Sequence, residues 1–83
     1  MSQRKGVQNL KSVMEKLREE GFIAFDVSNQ VEKGFPDLMV VMQDKVSFIE
    51  VKGPKHKLHR HQKEVHKKLE ESGFKVSVEI VGE

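Results

Sequence analysis

The chain has 83 residues, 36% apolar and 34% charged, with a formal net charge of +2, and it contains no cysteine. This length predicts a single domain over residues 1–83 with a thin core, because so small a chain buries only about 60 to 65% of its unfolded surface. Disulfides, thiol catalysis and cysteine-bound zinc are excluded, and without a membrane span or a secretory signal we expect a cytoplasmic protein with no membrane partner.

The amino-terminal third predicts a helix followed by a strand. Apolar residues recur at helical spacing, and Gly21 follows the last turn as a cap, so we expect an amphipathic helix from Gln3 to Glu20. The apolar run 22–27 predicts a first strand. The polar segment 28–34 predicts a loop that leads to the next strand.

Two further apolar runs follow, at 37–42 and 46–52. They are joined by the short polar turn Gln43-Asp44-Lys45, and two strand-like runs separated by so short a turn predict a β-hairpin.

The hairpin carries the residues with the clearest chemistry. Asp37 follows Pro36 at the start of its first strand, and Glu50 and Lys52 lie near the end of its second. Because side chains alternate along a strand, Glu50 and Lys52 project from one face about 6 to 7 Å apart. Closing the hairpin brings Asp37 within reach of Glu50. Two carboxylates and an ammonium would suit a hard divalent cation and a phosphate.

The last third predicts a second helix and a fourth strand. Leu58, Val65 and Leu69 share one helix face, and the helix is expected to end near Ser72. Apolar and polar residues alternate over 74–80, which predicts a strand with one wet face. The predicted architecture is an α/β sandwich of four strands and two helices.

The segment from residue 52 to 68, here called the basic segment, contains seven Lys or Arg, all four His and a single acid, Glu64. With so few compensating acids, it favours contacts to a nucleic-acid backbone over a merely solvated helix surface. The expected contacts are Lys55, Lys57, His59, Arg60, Lys63 and Lys67. Because no carboxylate has convincing zinc-ligand spacing to a histidine, we expect all four histidines, His66 included, to contact phosphate or to face solvent.

The order of these elements and motifs resembles the PD-(D/E)XK nuclease superfamily. Within it, three features look most like the virus-type replication-repair nuclease (VRR-NUC) family, over residues 7–81 of the chain. These are Gly34-Phe35-Pro36-Asp37-Leu38, Phe48-Ile49-Glu50-Val51-Lys52-Gly53-Pro54 and the downstream Gln62. The resemblance implies a restriction-endonuclease-like α/β fold: an αβββαβ core with a four-stranded mixed sheet flanked by helices.

The resemblance also implies roles for the site residues. Asp37, Glu50 and the backbone carbonyl of Val51 would bind Mg²⁺, with Mn²⁺ able to substitute. Lys52 would position the attacking water and stabilise negative charge on the phosphate. The helix glutamine of the family falls on Gln62, whose amide would orient a ligand, touch a phosphate or simply cap a local backbone group.

Two functions follow from these residues. The first is a magnesium-dependent DNA endonuclease, and small stand-alone VRR-NUC members, often of phage origin, are similar to resolvases of four-way (Holliday) junctions, which implies a homodimer with paired sites. The alternative is a non-catalytic nucleic-acid-binding module that uses the basic segment. The acid that family members often carry near the start of the first helix is missing here, with Gln8 as the nearest candidate, and this departure supports the module. Its weakness is that Asp37 and Glu50 would repel phosphate without a metal.

Overall fold

Two helices and four strands make up the part of the chain that the structure, a computed structural model, describes: residues 5–81, with side chains from residue 10 onward. Along the chain these elements are α1 (Lys5–Glu19), β1 (Ile23–Asp26), β2 (Leu38–Met42), β3 (Lys45–Lys52), α2 (Arg60–Glu71) and β4 (Lys75–Ile80). The predicted αβββαβ order is confirmed. Within this range, neither helix is long and apolar enough to cross a membrane.

The four strands form one mixed sheet in the order β1-β2-β3-β4. The pairs β1–β2 and β2–β3 are antiparallel, whereas β3 and β4 are parallel. A parallel pair needs a connection that crosses over the sheet, and α2 supplies it. As a result β2 and β3 lie in the centre, and β1 and β4 form the edges.

The two helices cover opposite faces of this sheet. Ala24, Leu38 and Val40 are buried on the face against which α1 packs, where Leu17 of the helix shares a groove with Val40. Phe48 is buried on the other face, below α2. The apolar core is therefore as thin as the length of the chain predicts.

Aromatic contacts tie the loop before β2 and the start of β4 to the centre of the sheet. The ring of Phe48 meets Phe35 edge-to-face at 5.2 Å between centroids, and it meets Phe74 in the same way at 5.7 Å. Edge-to-face pairs place the positive edge of one ring on the negative face of the next. Phe35 is thus held in place two residues before Asp37.

The second helix begins later than its apolar spacing predicts. Its first residue is Arg60, and His59 precedes it as the N-cap with extended backbone angles, φ −76° and ψ 164°. Leu58 therefore lies in the loop before α2 and not on its apolar face, so that part of the prediction is wrong. In this loop Leu58 is half-buried, as Val65 and Leu69 are on the helix.

Two details of the strands also differ from expectation. Met42 pairs with Lys45, so the hairpin turn is the two residues Gln43 and Asp44, with Gln43 in the left-handed region at φ 56°. In β4 the apolar face is not buried along its length, because the strand lies at the edge and α2 leaves its second half uncovered. Val78 is 41% exposed and Ile80 is 56% exposed.

Candidate active site

The antiparallel register of β2 and β3 places the two predicted acids side by side. Leu38 pairs with Ile49, so the preceding residue, Asp37, lies opposite Glu50. The Asp37 side chain is held in place by β3, because its Oδ2 accepts a hydrogen bond of 3.0 Å from the backbone N–H of Val51. The structure thus brings together residues that are thirteen positions apart in the sequence.

Glu50 is the most buried acid of the site, with 2% of its surface exposed. Its pKa is raised to about 8, mainly because the carboxyl is buried and also because of the negative charge of Asp37, while the positive charge of Lys52 opposes the shift. Without a cation, Glu50 therefore retains its proton at neutral pH. A bound divalent cation would supply the positive charge that ionises it.

Gln62 connects α2 to this carboxylate. Its Oε1 accepts a hydrogen bond of 2.8 Å from the backbone N–H of His59, which fixes the orientation of the amide at the start of the helix. The amide nitrogen then faces the sheet, and Nε2 donates to Glu50 Oε2 at 3.1 Å. Gln62 therefore caps the helix, which is one of the alternatives left open by the sequence, and it also donates a hydrogen bond to the Glu50 carboxylate.

Lys52 follows Glu50 on the same face of β3 and is half-buried. Its positive charge opposes the rise in the pKa of Glu50 and adds to the fall that burial causes in the pKa of His66. In the described range 5–81, no carboxylate lies within ion-pair distance of Lys52. The ammonium is thus available to a ligand.

Pro36 explains why the backbone carbonyl of Val51 lacks a hydrogen-bond donor from β2. Continued two residues beyond the Leu38–Ile49 pair, the register sets Pro36 opposite Val51. An ordinary residue at that position would exchange two backbone hydrogen bonds with Val51, but proline has no N–H to donate. The Val51 carbonyl is therefore left without a donor from β2, on the side of the strand where Asp37 lies.

A cleft of about 200 Å³ opens beside these residues, between the loop that precedes β2 and the start of α2, and both Asp37 and Gln62 line it. A neighbouring cavity of about 360 Å³ is lined by Lys33, Gly34, His59, His61 and Gln62. The two spaces share Lys33, Gly34 and Gln62 in their linings and lie on one side of the site.

Gly34 allows the loop to approach the helix so closely. Its φ is 91°, and a Cβ atom at this position would lie 2.6 Å from the backbone oxygen of His61. Any larger residue would push the loop away from α2. Gly34 is therefore required by geometry, a reason that the sequence motif alone does not reveal.

The basic segment runs from the end of β3 through most of α2, and most of its side chains face solvent. All of the predicted nucleic-acid contacts are exposed: Lys55, Lys57, His59, Arg60, Lys63 and Lys67. Arg60 lies 3.7 Å from Glu64, in a pair so exposed that it adds little stability. His59 also lines the cavity beside Gln62, so part of the basic segment borders the site.

His66 is the site residue that the sequence reasoning missed. It was expected to face solvent or phosphate, which is wrong: it is only 7% exposed, and its Nε2 lies 3.4 Å from Glu50 Oε1. Burial lowers the pKa of His66, which keeps the imidazole neutral. The available signal was spacing, because His66 follows Gln62 by four residues and so shares its face of the helix.

The donor set fits a hard divalent cation. Glu50 Oε1 is buried without a hydrogen-bond partner, and Asp37 uses only Oδ2 in its bond to Val51. Magnesium takes oxygen ligands and usually keeps several waters, so two carboxylates and a carbonyl suffice. Across the residues that the structure describes, no three His, Asp or Glu side chains gather as a metal cage. The Gln8 side chain lies outside the described residues.

A four-stranded mixed sheet between two helices, with paired acids at the ends of its central strands and a lysine two residues further on, defines the α/β nuclease fold. The model of the VRR-NUC domain matches residues 2–81, and the chain belongs to this family of nucleases. Nucleases of this family bind DNA and generally use a divalent metal.

Two solved structures illustrate the similarity. A VRR_NUC domain aligns with a TM-score of 0.79 and 26% sequence identity, over 94% of this chain and 85% of that one. Hjc from Archaeoglobus fulgidus, a Holliday junction resolvase from an archaeal hyperthermophile, aligns with a TM-score of 0.70 and 21% identity, over 94% of this chain and 65% of that one. The second likeness shows the fold. No curated protein matches the sequence.

Proposed function

We propose that the chain is a magnesium-dependent endonuclease of the PD-(D/E)XK type that cuts branched DNA, as a homodimeric resolvase of four-way junctions. The observation that carries this proposal is the pairing of Asp37 with Glu50, a carboxyl that is only 2% exposed. A purely structural role does not account for two acids at one point of a thin core, since burying an acid there costs stability.

Each residue has a distinct task in phosphodiester hydrolysis. Asp37, Glu50 and the Val51 carbonyl hold Mg²⁺, or Mn²⁺ in its place. When bound, the metal supplies Lewis-acid stabilisation of the phosphate and lowers the pKa of bound water. Lys52 positions the attacking water and stabilises the negative charge that develops on the phosphate. Gln62 keeps the Glu50 carboxylate in one orientation through its 3.1 Å hydrogen bond.

The basic segment binds the DNA backbone. Its cations lie on the loop and helix that begin at the site, and they are solvent-exposed. Neutralising phosphates in this way releases counterions and gives affinity without sequence readout. The proposed contacts are Lys55, Lys57, His59, Arg60, Lys63 and Lys67. A chain with this surface selects its substrate by the shape of the DNA.

Junction resolution requires two active sites, since one site cuts one strand and paired cuts at fixed separation call for a two-fold symmetric dimer. Apolar side chains on the edge strand β1 support such an interface, because Ile23 and Phe25 are exposed. The similarity to Hjc, which is named as a Holliday junction resolvase, also favours a junction as substrate.

The proposal is tested by cleavage of a labelled four-way junction, a matched linear duplex and a single strand, with and without Mg²⁺. We expect symmetric cuts in the junction that require Mg²⁺ and that are lost in Glu50→Gln. The control is Glu79→Gln, which removes an exposed strand glutamate and should cut like wild type.

Each other outcome removes a defined part of the proposal. Cleavage of all three substrates would keep the hydrolysis and reject the preference for junctions. Full activity of Glu50→Gln would reject the metal site. Intact DNA binding without cleavage under any metal would favour the non-catalytic binding module.

A further inference from the structure

Two side chains of α2 approach the two oxygens of the Glu50 carboxylate. Gln62 and His66 are four residues apart, so they lie on the same face of the helix, one turn from each other. Gln62 Nε2 is 3.1 Å from Glu50 Oε2, and His66 Nε2 is 3.4 Å from Glu50 Oε1. The helix thus meets both ends of the carboxylate at once.

Both atoms of the second contact are otherwise without a partner. Glu50 Oε1 and His66 Nε2 are the only buried side-chain nitrogen or oxygen atoms in the described residues that lack a hydrogen bond. Leaving a polar atom buried and unpaired costs stability, so two such atoms facing each other are best satisfied by one another. Their separation of 3.4 Å is only a few tenths of an ångström longer than an ordinary N–H···O bond, and a small rotation of the imidazole would align the N–H with the carboxylate oxygen.

We propose that His66 is a positioning residue that donates its Nε2–H to Glu50 Oε1 and, together with Gln62, fixes the rotation of the carboxylate. This inference rests on the proposed function, in which Glu50 is a metal ligand. An ionised carboxylate has about four lone-pair positions, so two donors behind it leave the others for the cation. The geometry has the form of the outer hydrogen bonds that orient the direct ligands of metal sites and tune their affinity.

The tautomer follows from the chemistry of the neighbours. Glu50 only accepts when it is ionised, so the neutral imidazole must carry its single proton on Nε2 to bond with it. A histidine that bound the metal directly would instead need a free electron pair on Nε2. The two roles differ in which substitute can replace the histidine.

The test compares three substitutions of His66. His66→Gln keeps an N–H donor at a similar reach, whereas His66→Leu and His66→Met keep apolar bulk and remove the donor. The first measurement is Mn²⁺ binding to the protein in the absence of DNA. The electron paramagnetic resonance signal of the free ion monitors this binding. Asp37→Asn serves as the variant that removes a proposed ligand, and thermal unfolding in EDTA identifies the variants that fold.

We expect His66→Gln to bind Mn²⁺ within about threefold of wild type, and the donor-free variants to bind it roughly 10- to 100-fold more weakly. In cleavage assays the donor-free variants should need more Mg²⁺ for half-maximal rate, yet approach the wild-type kcat at saturating Mg²⁺. A role in packing alone would not produce this separation between metal requirement and kcat.

Several outcomes would overturn the inference. Wild-type Mn²⁺ affinity in a folded donor-free variant would show that the donor is not needed. A loss in His66→Gln as large as in His66→Leu would indicate direct coordination. If Asp37→Asn loses binding while the donor-free variants keep it, only the role of His66 fails. If Asp37→Asn binds Mn²⁺ as well as wild type, the proposed metal site fails and the inference fails with it.

Discussion

At the scale of single residues, Glu50 shows how the fold prepares a carboxylate for a cation. It is almost fully buried beside another acid, and these surroundings raise its pKa to about 8. Water cannot solvate its charge, and Asp37 repels it. A divalent cation would reverse both effects, so metal binding should release a proton and strengthen as the pH rises toward 8.

The same shift predicts how stability depends on pH without metal. The unfolded chain loses the Glu50 proton near its ordinary pKa of 4.5, and the folded protein loses it near 8. Between these values the folded state holds more protons than the unfolded state, so stability falls as the pH rises. Glu50→Gln cannot ionise, so it should be more stable than wild type at pH 8 by an amount of the order of a few kcal/mol.

The measurement is thermal unfolding of both proteins in EDTA from pH 4.5 to 8. The gap between them should shrink toward zero at the acid end, where Glu50 is protonated in the folded state and already half protonated in the unfolded state. Glu79→Gln, an exposed change of the same chemistry, should show no such gap. A wild type as stable as Glu50→Gln at pH 8 would contradict the raised pKa.

Pro36 gives a second prediction at this scale. Because it faces Val51 without an N–H, Pro36→Ala would restore a donor to the Val51 carbonyl and draw that oxygen into the sheet ladder. We expect Mn²⁺ to bind several-fold more weakly. Pro54→Ala, at the exposed second proline, is the control and should bind as wild type does. Equal affinities would show that the carbonyl is not a ligand.

At the scale of elements, the hairpin was predictable because its information is local. Alternation along two short runs and a tight turn fix an antiparallel register, and that register alone places Asp37 opposite Glu50. The same locality explains the error at Leu58. Helical spacing is a property of sequence positions, and it continues through a residue that the structure assigns to a loop.

The role of His66 could not be predicted in the same way. Spacing places it on one face of α2, but only the packing of that helix on β3 decides that the face meets Glu50. The exposed second half of β4 has a similar cause, because alternation predicts an apolar face without showing how far the helix above it reaches. Val78 and Ile80 remain uncovered for that reason.

At the same scale, Gly34 predicts how the loop before β2 depends on its close contact with α2. In Gly34→Ala the new Cβ would meet the His61 backbone at 2.6 Å, so the loop must move away from α2. Gly21→Ala is the matched control, because Gly21 also has a positive φ, 97°, but nothing lies within 4 Å of its Cβ position. Both variants incur the left-handed backbone cost of about 1 to 2 kcal/mol.

Only Gly34→Ala should lose more stability than that, and only this variant should also lose cleavage, because the loop lines the cleft beside Asp37. Urea unfolding and junction cleavage of both variants provide the comparison. Equal losses of stability in the two variants, with cleavage unchanged, would show that the loop tolerates displacement.

At the scale of the whole molecule, the thin core and the uncovered edges support the proposed homodimer. Only Pro36 and four other apolar residues are buried in the described part of the chain, whereas seven large ones are exposed. Exposed apolar side chains on an edge strand are a ready surface for association. In a homodimer they would add to a core that is small for an independent domain.

The position of the active site determines which edge strand is available as the dimer interface. Ile80 pairs with Lys52, so a partner packed over Ile80 would cover the lysine and close the approach of DNA. Ile23 pairs with Val41, toward the hairpin turn and away from Asp37 and Glu50. An interface on β1 therefore leaves the basic segment free to bind DNA, and we place the dimer contact there.

Ile23→Lys and Ile80→Lys test this choice as a matched pair, because both isoleucines are 56% exposed on edge strands. Surface changes of this kind alter stability by only about 0.5 kcal/mol, so an effect on association can be read directly. In sedimentation at micromolar concentration we expect wild type and Ile80→Lys to be dimers and Ile23→Lys to be a monomer that cuts junctions without pairing its cuts. The opposite pattern would move the interface to β4, and a monomeric wild type would remove the basis for symmetric junction resolution.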